Sequence, residues 1–321
     1  MALFTNTGNI ETRTGFGVGL VEAATKNENI VALCADLTSS IKMDGFKEKF
    51  PHRFFQTGIA EANMMCIAAG LATSGKIPFA GTFAEFATGR VYDQIRQSIA
   101  YSKKNVKIAA SHAGLTLGED GATHQTLEDI GLMKMLPNMV VLNPADYNQT
   151  KAATIAAAEY DGPVYIRYGR PKVPNFTPEN QPFEIGKAWK IKDGKDVTII
   201  ATGHLLWSAI EALEILEKDK IEAELINIHT IKPLDIETII DSARKTKAVV
   251  VAEEHLMNGG LGDSIAQILV RHIPVPMEYV SVNDLFGESG TPEQLMDKYE
   301  LNAMGIVCAV QGVLHRSFIN L

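Results

Sequence analysis

Short runs of consecutive apolar residues alternate along this chain with longer stretches of helical period. The runs in the first half are "NIVALCAD" (29–36), "PFAGTFA" (78–84), "VKIAASHA" (106–113), "MVVLNPA" (139–145) and "PVYIRYG" (163–169). Between them lie stretches that predict helices over 14–27, 60–75, 86–101, 126–135 and 146–159. Strands that are apolar throughout, separated by helices, predict a parallel sheet covered on both faces. "GRPKVPNFTPENQPFEIGK" (169–187) breaks the rhythm with four prolines and no periodicity, and reads as a linker. A second block follows, with strands expected in "DVTIIATG" (196–203), "EAELINIHT" (222–230), "AVVVAEEH" (248–255) and "MEYVSVND" (277–284). Its helices are expected over 206–219, 233–245, 259–272, 291–299 and near 301–319. The pattern therefore predicts an α/β protein of two domains, 1–175 and 187–321, joined by a linker at 176–186. Each domain should hold a mainly parallel sheet flanked by helices, the second with an antiparallel edge strand.

At 321 residues the chain is too long for one small core, which agrees with two domains. Hydrophobic residues make up 46% and charged residues 21%, as in ordinary globular proteins. A formal net charge of −8 argues against nonspecific nucleic-acid binding, which needs a basic face. It leaves room for an anionic small substrate, because a few convergent Arg and His residues can dominate one pocket. Cys34, Cys66 and Cys308 show no CxxC or CxxH spacing, so neither a disulfide framework nor a zinc site is indicated; Cys34 and Cys66 read as buried fillers. The first residues lack a basic stretch followed by an apolar core, and no apolar run approaches the ~18 residues of a membrane span. A cytoplasmic protein is expected.

The candidate chemistry gathers at strand ends. In open parallel sheets ligands sit beyond the carboxyl ends of the strands. Asp36, Phe83, His112 and Arg167 stand at four such ends, and Glu61 follows "FFQTGIA". "GEDGATHQ" (118–125) packs two carboxylates, two glycines and His124 into eight residues after His112. A polar glycine turn leading into a capped helix accounts for its composition; convergence with the strand ends favours a site. "GFGVGL" (15–20) mimics a dinucleotide loop, but no strand precedes it and the third glycine is missing, so close helix packing is the better reading. "EEHLMNGGLG" (253–262) could bind a phosphate at a helix start, yet no P-loop lysine supports it and a tight turn is preferred. His229 and His255 read as turn or interface histidines. Glu61 opens an otherwise apolar helix. It could be a dipole partner worth under ~1 kcal/mol, or an acid in an apolar interface that holds a proton for a ring nitrogen; the residues alone leave both open.

"TGIAEANM", "GTFAEF", "SHAGLTLGEDGATHQTLEDIGLMKMLPNMVVLNPAD" and "DGPVYIRYGRP" occur here in an order that resembles the carboxyl-terminal half of transketolase, its pyrimidine-binding and C-terminal domains. The resemblance covers essentially the whole chain. The amino-terminal half, with the diphosphate and Mg²⁺ sites of thiamine diphosphate, has no counterpart here, so the chain resembles the second subunit of a split, two-chain enzyme. The resemblance implies that Glu61 bonds the pyrimidine nitrogen of thiamine diphosphate and favours the imino form that takes the thiazolium proton. It implies that Phe83 and Phe86 stack on the pyrimidine and that Asp36 lies at the cofactor. Asp120 would read a sugar hydroxyl, and His124 would contact the donor hydroxyl and reacting carbonyl. Arg13, Ser40, His112 and Arg167 would take the phosphate end. A third aromatic usual in the family is Gly89 here, with Arg90 beside it.

The implied reaction is transfer of a two-carbon ketol unit from a ketose phosphate to an aldose phosphate. The family default is xylulose 5-phosphate and ribose 5-phosphate, as in the pentose phosphate pathway. An N-terminal-half partner carrying the Mg²⁺ ligands is expected, in a heterotetramer of two copies of each chain. In isolation a homodimer is expected, because an apolar helix such as 60–75 needs a cover. Three alternatives stand beside this. The pyruvate dehydrogenase β subunit has similar length but lacks GEDG-x-THQ. Deoxyxylulose-phosphate synthase has a closely similar loop and a "YDQ" like that at 92–94, but generally Arg where His112 stands, and it is one long chain. A non-catalytic orphan subunit would not need an intact set of acid, aromatics, histidines and arginines.

Overall fold

Apolar runs without polar alternation become strands buried on both faces. The computed structural model describes residues 3–319; residues 1–2 and 320–321, at the outer ends of the expected domains, lie outside the described residues. The strands are β1 (Asn9–Glu11), β2 (Ile30–Cys34), β3 (Phe54–Gln56), β4 (Ile77–Phe83), β5 (Lys107–Ser111), β6 (Val140–Leu142), β7 (Val164–Arg167), β8 (Lys172–Pro174), β9 (Trp189–Lys192), β10 (Val197–Ala201), β11 (Ala223–Asn227), β12 (Thr230–Lys232), β13 (Val249–Leu256) and β14 (Met277–Val282). Every residue of β2, β5, β7, β10 and β11 is buried. β1 and β8 form a two-stranded sheet of their own; of the two larger sheets, one runs β12-β6-β7-β5-β4-β2-β3 and the other β14-β13-β10-β11-β9. Both are parallel except at one edge, where β12 lies antiparallel to β6 and β9 antiparallel to β11. The α/β class and the mainly parallel sheets are as the sequence pattern predicts; the second sheet does have an antiparallel edge, but the strand that forms it, β9, lies in none of the expected runs.

In the first sheet β2 lies between β3 and β4, so the chain leaves β2 on one side and returns on the other. That reversal opens a crevice at the carboxyl ends of β2 and β4, the place where doubly wound sheets bind ligands. The edge strand β12 comes from the second half of the chain. The expected strand 222–230 ends at Asn227, and the backbone N–H of Asn143, just past β6, is donated to the His229 carbonyl at 2.9 Å. The two halves are thus sewn together through one sheet. The proline-rich segment is also tied down: β8 pairs with β1, and the Asp146 carboxylate accepts from the backbone N–H groups of Phe176 and Thr177 at 2.8 and 2.7 Å.

The expected single helix 86–101 is broken. A short helix, Ala84–Ala87, stops at Thr88, whose φ of −126° and ψ of −81° are not helical; a 3₁₀ turn Gly89–Val91, one turn Tyr92–Gln94 and a π-helix Ile95–Tyr101 follow. The glycines of "GFGVGL" serve packing. A Cβ on Gly15 would lie 2.3 Å from the Tyr147 carbonyl oxygen, and one on Gly19 would lie 2.8 Å from that of Lys151, so helix Thr12–Lys26 sits directly against helix Tyr147–Glu159. The turn in "EEHLMNGGLG" is filled by the chain itself: the Glu253 carboxylate accepts from Leu261 and Gly262 N–H at 2.6 and 2.8 Å, capping helix Leu261–His272. Of the two cysteines expected to be buried, only Cys34 is; Cys66 is exposed on the outer face of helix Glu61–Thr73.

Candidate active site

The crevice is built around Phe83, the last residue of β4. Its ring stacks on Phe86 (centroids 5.9 Å apart, 18° between planes) and on the His112 imidazole (3.8 Å, 26°). His112 follows β5 with a positive φ of 59°. Its Nδ1 lies 2.8 Å from Ser111 Oγ and its Nε2 lies 3.5 Å from Arg13 Nη1. A guanidinium has only donors, so Nε2 faces it as acceptor and Nδ1 carries the proton. Burial, then the positive charges of Arg13 and Arg170, hold the His112 pKa down at about 3, which keeps the ring neutral.

Arg13 is itself locked in place. Its Nη2 and Nε donate to the two oxygens of Glu11 at 2.7 and 3.2 Å, and Nη1 donates to the Ser40 carbonyl at 2.8 Å. Lys42 adds an ion pair to Glu11 at 3.0 Å. Although partial burial opposes its charge, hydrogen bonds from Arg13 and Lys42 hold the Glu11 pKa at about 2. The result is a cationic, preorganised end beside a neutral histidine.

On the other side of the rings, Glu61 opens helix Glu61–Thr73 and is 5% exposed. Its Oε1 accepts from Arg90 Nη1 at 3.3 Å, and the Arg90 guanidinium lies 4.0 Å above the Phe86 ring centre. The His124 ring meets Phe86 edge-on at 5.5 Å. Glu61, Arg90, Phe86, Phe83, His112, Arg13 and Ser40 therefore form one unbroken series of contacts. The planar guanidinium of Arg90 lies against Phe86 and Glu61 at once, so ring and carboxylate are both presented to one flat, nitrogen-bearing group. Gly89 leaves room where an aromatic was expected: a Cβ there would have only Glu85 Oε1 within 4 Å, at 3.7 Å.

The profile of the transketolase pyrimidine binding domain matches residues 8–175, and that of the transketolase C-terminal domain matches residues 186–306. The chain belongs to the transketolase family. It is 46% identical over 298 residues to a putative transketolase C-terminal section of Methanocaldococcus jannaschii, covering 92% of this chain and 93% of that one. It is 44% identical over 297 residues to a 6-deoxy-6-sulfo-D-fructose transketolase subunit of Clostridium sp. (strain MSTE9), covering 92% of each. Its fold superposes with a TM-score of 0.91, at 50% identity, on a split-gene transketolase solved as an inactive β4 tetramer, over 96% of this chain and 99% of that one. Membership of the transketolase family implies dependence on thiamine diphosphate.

Of the expected site residues of this transketolase chain, His124 touches the contact series at Phe86, and three others stand apart from it. Asp36 is exposed at the end of β2, with a φ of 60° and its backbone N–H donated to Gln56 Oε1 at 2.7 Å. Asp120 is exposed at the tip of the 114–125 loop. Arg167, expected at the phosphate end, points the other way. Its Nε donates to Asp129 Oδ2 at 2.8 Å, its Nη2 donates to the Glu254 carbonyl at 2.9 Å, and its side chain is 4% exposed. Arg167 is still within the buried strand β7, so its side chain is committed to the interior. Arg170, three residues on and past the strand end, is the open one. Its Nη1 donates to the Leu117 carbonyl at 2.9 Å and to Glu119 Oε2 at 3.2 Å, and its charge acts on His112. The signal was present in "YIRYGRP": ligand groups follow the last buried strand residue, and Arg170 is the first arginine to do so.

Proposed function

We propose that this chain is the C-terminal-half subunit of a two-chain transketolase, moving a two-carbon ketol unit from a ketose phosphate to an aldose phosphate in an assembly with an N-terminal-half partner. The observation that carries this is the contact series from Glu61 to Ser40, which joins an acid, a ring seat and a cationic end along one crevice. Thiamine diphosphate, when bound, supplies a nucleophilic carbon and an electron sink. Glu61 would hold a proton at the pyrimidine nitrogen, with Phe83 and Phe86 stacked on that ring and Arg90 displaced from it. His124 and Asp120 would meet the sugar hydroxyls. Arg13, Ser40, His112 and Arg170 would take the terminal anion, the arginines by forked donation. Among the described residues no group of three or more His, Cys, Asp or Glu is arranged to hold a metal ion. The Mg²⁺ ligands are assigned to the partner.

The two-chain reading draws support from the near full-length match to a transketolase C-terminal section and to a split-gene enzyme whose β4 tetramer is inactive. It also fits the outer face of helix Glu61–Thr73, where Ala62, Cys66, Ile67 and Gly70 are exposed beside Ile59 at 79% exposure, an apolar surface suited to another chain. We place two copies of each chain in the active assembly. Among the described residues no helix is long and apolar enough to cross a membrane. A second reading concerns the sugar: the relative named for 6-deoxy-6-sulfo-D-fructose suggests that Arg13 and Arg170 could equally hold a terminal sulfonate.

Glu61 gives the test. Glu61→Gln keeps shape and a hydrogen bond but removes the acid, and loss of a general acid–base contribution costs about 10²–10⁴-fold. Hydrogen–deuterium exchange at the thiazolium carbon in the assembled complex should slow by that order. Unchanged exchange would make Glu61 an ordinary helix-start carboxylate.

A further inference from the structure

None of the residues in the contact series from Glu61 to Ser40 belongs to the second half of the chain. The second half nevertheless reaches the 114–125 loop, and it does so through a buried carboxylate. Glu254, in β13, is 2% exposed. Its Oε1 accepts from the Thr116 backbone N–H at 2.7 Å. Gly114 makes the approach feasible: it has a φ of 82°, and a Cβ there would lie 2.3 Å from the same oxygen. Arg167 holds the other side, donating to the Glu254 backbone carbonyl, which explains why an arginine at the end of β7 faces inward. His204 Nδ1 lies 3.6 Å from Oε2.

The loop is pinned at its far end too. Gly114 N–H donates to the Thr126 carbonyl at 3.0 Å, closing the base. Gln125 Nε2 donates to the carbonyls of Leu115, Gly118 and Glu288 at 3.2, 3.0 and 3.0 Å, the last from the second half. The residue after Thr116 is Leu117, whose carbonyl accepts from Arg170. A displaced Thr116 would move both the Arg170 guanidinium and the backbone that carries Asp120 and His124.

We infer that Glu254 is a positioning residue for sugar binding: through the Thr116 N–H it sets the loop that aims Arg170, Asp120 and His124. This rests on the proposed role of that loop as the sugar-contacting wall. Three variants separate the effects. Glu254→Ala removes the acceptor, Glu254→Gln keeps an amide oxygen at the same reach, and Gly114→Ala acts from the loop side.

In the full chain, amide hydrogen exchange of a peptide spanning 113–126 should speed up by about 10-fold in Glu254→Ala, of the order expected when a buried donor loses its partner. A peptide covering helix Ile236–Thr246 should be unchanged, and Glu254→Gln should restore much of the loop's protection. In the complex with an N-terminal-half partner, kcat/KM for the sugar phosphate should fall about 10–100-fold, while thiazolium-proton exchange stays within about twofold, because misplacement affects only groups on the loop and the Arg170 side chain it holds. If Glu254→Ala fails to fold, Glu254→Gln and Gly114→Ala carry the same comparison. Unchanged loop exchange, or equal acceleration throughout the chain without rescue by Gln, would overturn the inference. An assembled wild-type complex with no ketol transfer would overturn the functional reading instead, and loop exchange would still decide the role of Glu254.

Discussion

Two arginines three residues apart should behave oppositely when removed. Arg167 and Asp129 are 4% and 0% exposed, and Asp129 Oδ2 depends on Arg167 Nε at 2.8 Å and the Tyr165 hydroxyl at 2.7 Å. Among the described residues Asp129 Oδ1 has no hydrogen-bond partner. Arg167→Ala would leave a buried carboxylate without its counter-charge, a change that costs about 3–5 kcal/mol. Arg170 pairs with Glu119 at 3.2 Å, with side chains 39% and 60% exposed, so its loss should cost under ~1 kcal/mol of stability. If Arg170 holds the substrate's terminal anion, its removal forfeits a charge-assisted hydrogen bond of about 1.5–3 kcal/mol. At about 1.4 kcal/mol per tenfold, that is roughly a 10–100-fold rise in KM. Because the anion is held alike in ground and transition states, kcat should change little. Urea unfolding of each variant, with steady-state kinetics of each assembled complex, separates the two. A stable Arg167→Ala with a raised KM, beside an Arg170→Ala with normal kinetics, would reverse the two roles.

Arg90→Ala removes a group that occupies the contacts expected of the cofactor ring. Its half-exposed pair with Glu61 is worth about 0.2–1 kcal/mol, so the apparent Kd for thiamine diphosphate should tighten by up to about fivefold in a fluorescence titration of the complex; weaker binding would give Arg90 a supporting role. His112 predicts an acid limb. Burial and the two arginines lower its pKa from 6.5 to about 3, so the unfolded chain takes up a proton that the folded chain refuses. Stability is fully present above about pH 6.5 and is lost as pH falls toward 3, by at most about 1.4 kcal/mol per pH unit. His112→Phe should flatten that part of the urea-unfolding profile, and an unchanged slope would show that other groups cause it.

Hydrophobic pattern carried most of this fold because buried parallel strands are written as unbroken apolar runs. β2, β5, β7, β10 and β11 were legible for that reason. The break at Thr88 was not, because residues 86–101 keep helical composition while a local backbone conformation ends the first turn. β12 was hidden for another reason: Thr230–Lys232 pairs across the two halves, and no local signal states a long-range partner. At the site, Phe83 and His112 stand out as chemistry at strand ends, whereas Arg13 is reached only through the family resemblance; the structure brings the three into contact. Arg167 is a misleading position because an arginine inside a buried strand turns to internal partners, here Asp129 and the Glu254 carbonyl. Glu254 was invisible in "AEEHL", since its work depends on Thr116, 138 residues away.

On the proposed reading, one crevice made by this chain becomes a transketolase site only when a second chain completes it. The test is to titrate an N-terminal-half subunit into the purified chain with thiamine diphosphate, Mg²⁺ and sugar phosphates present. This chain alone should give no ketol transfer, activity should saturate at equal amounts of the two subunits, and an anion-bearing ketose should be preferred over pyruvate as donor. Robust thiamine-dependent turnover by the single chain, or an assembled enzyme that prefers pyruvate, would contradict it.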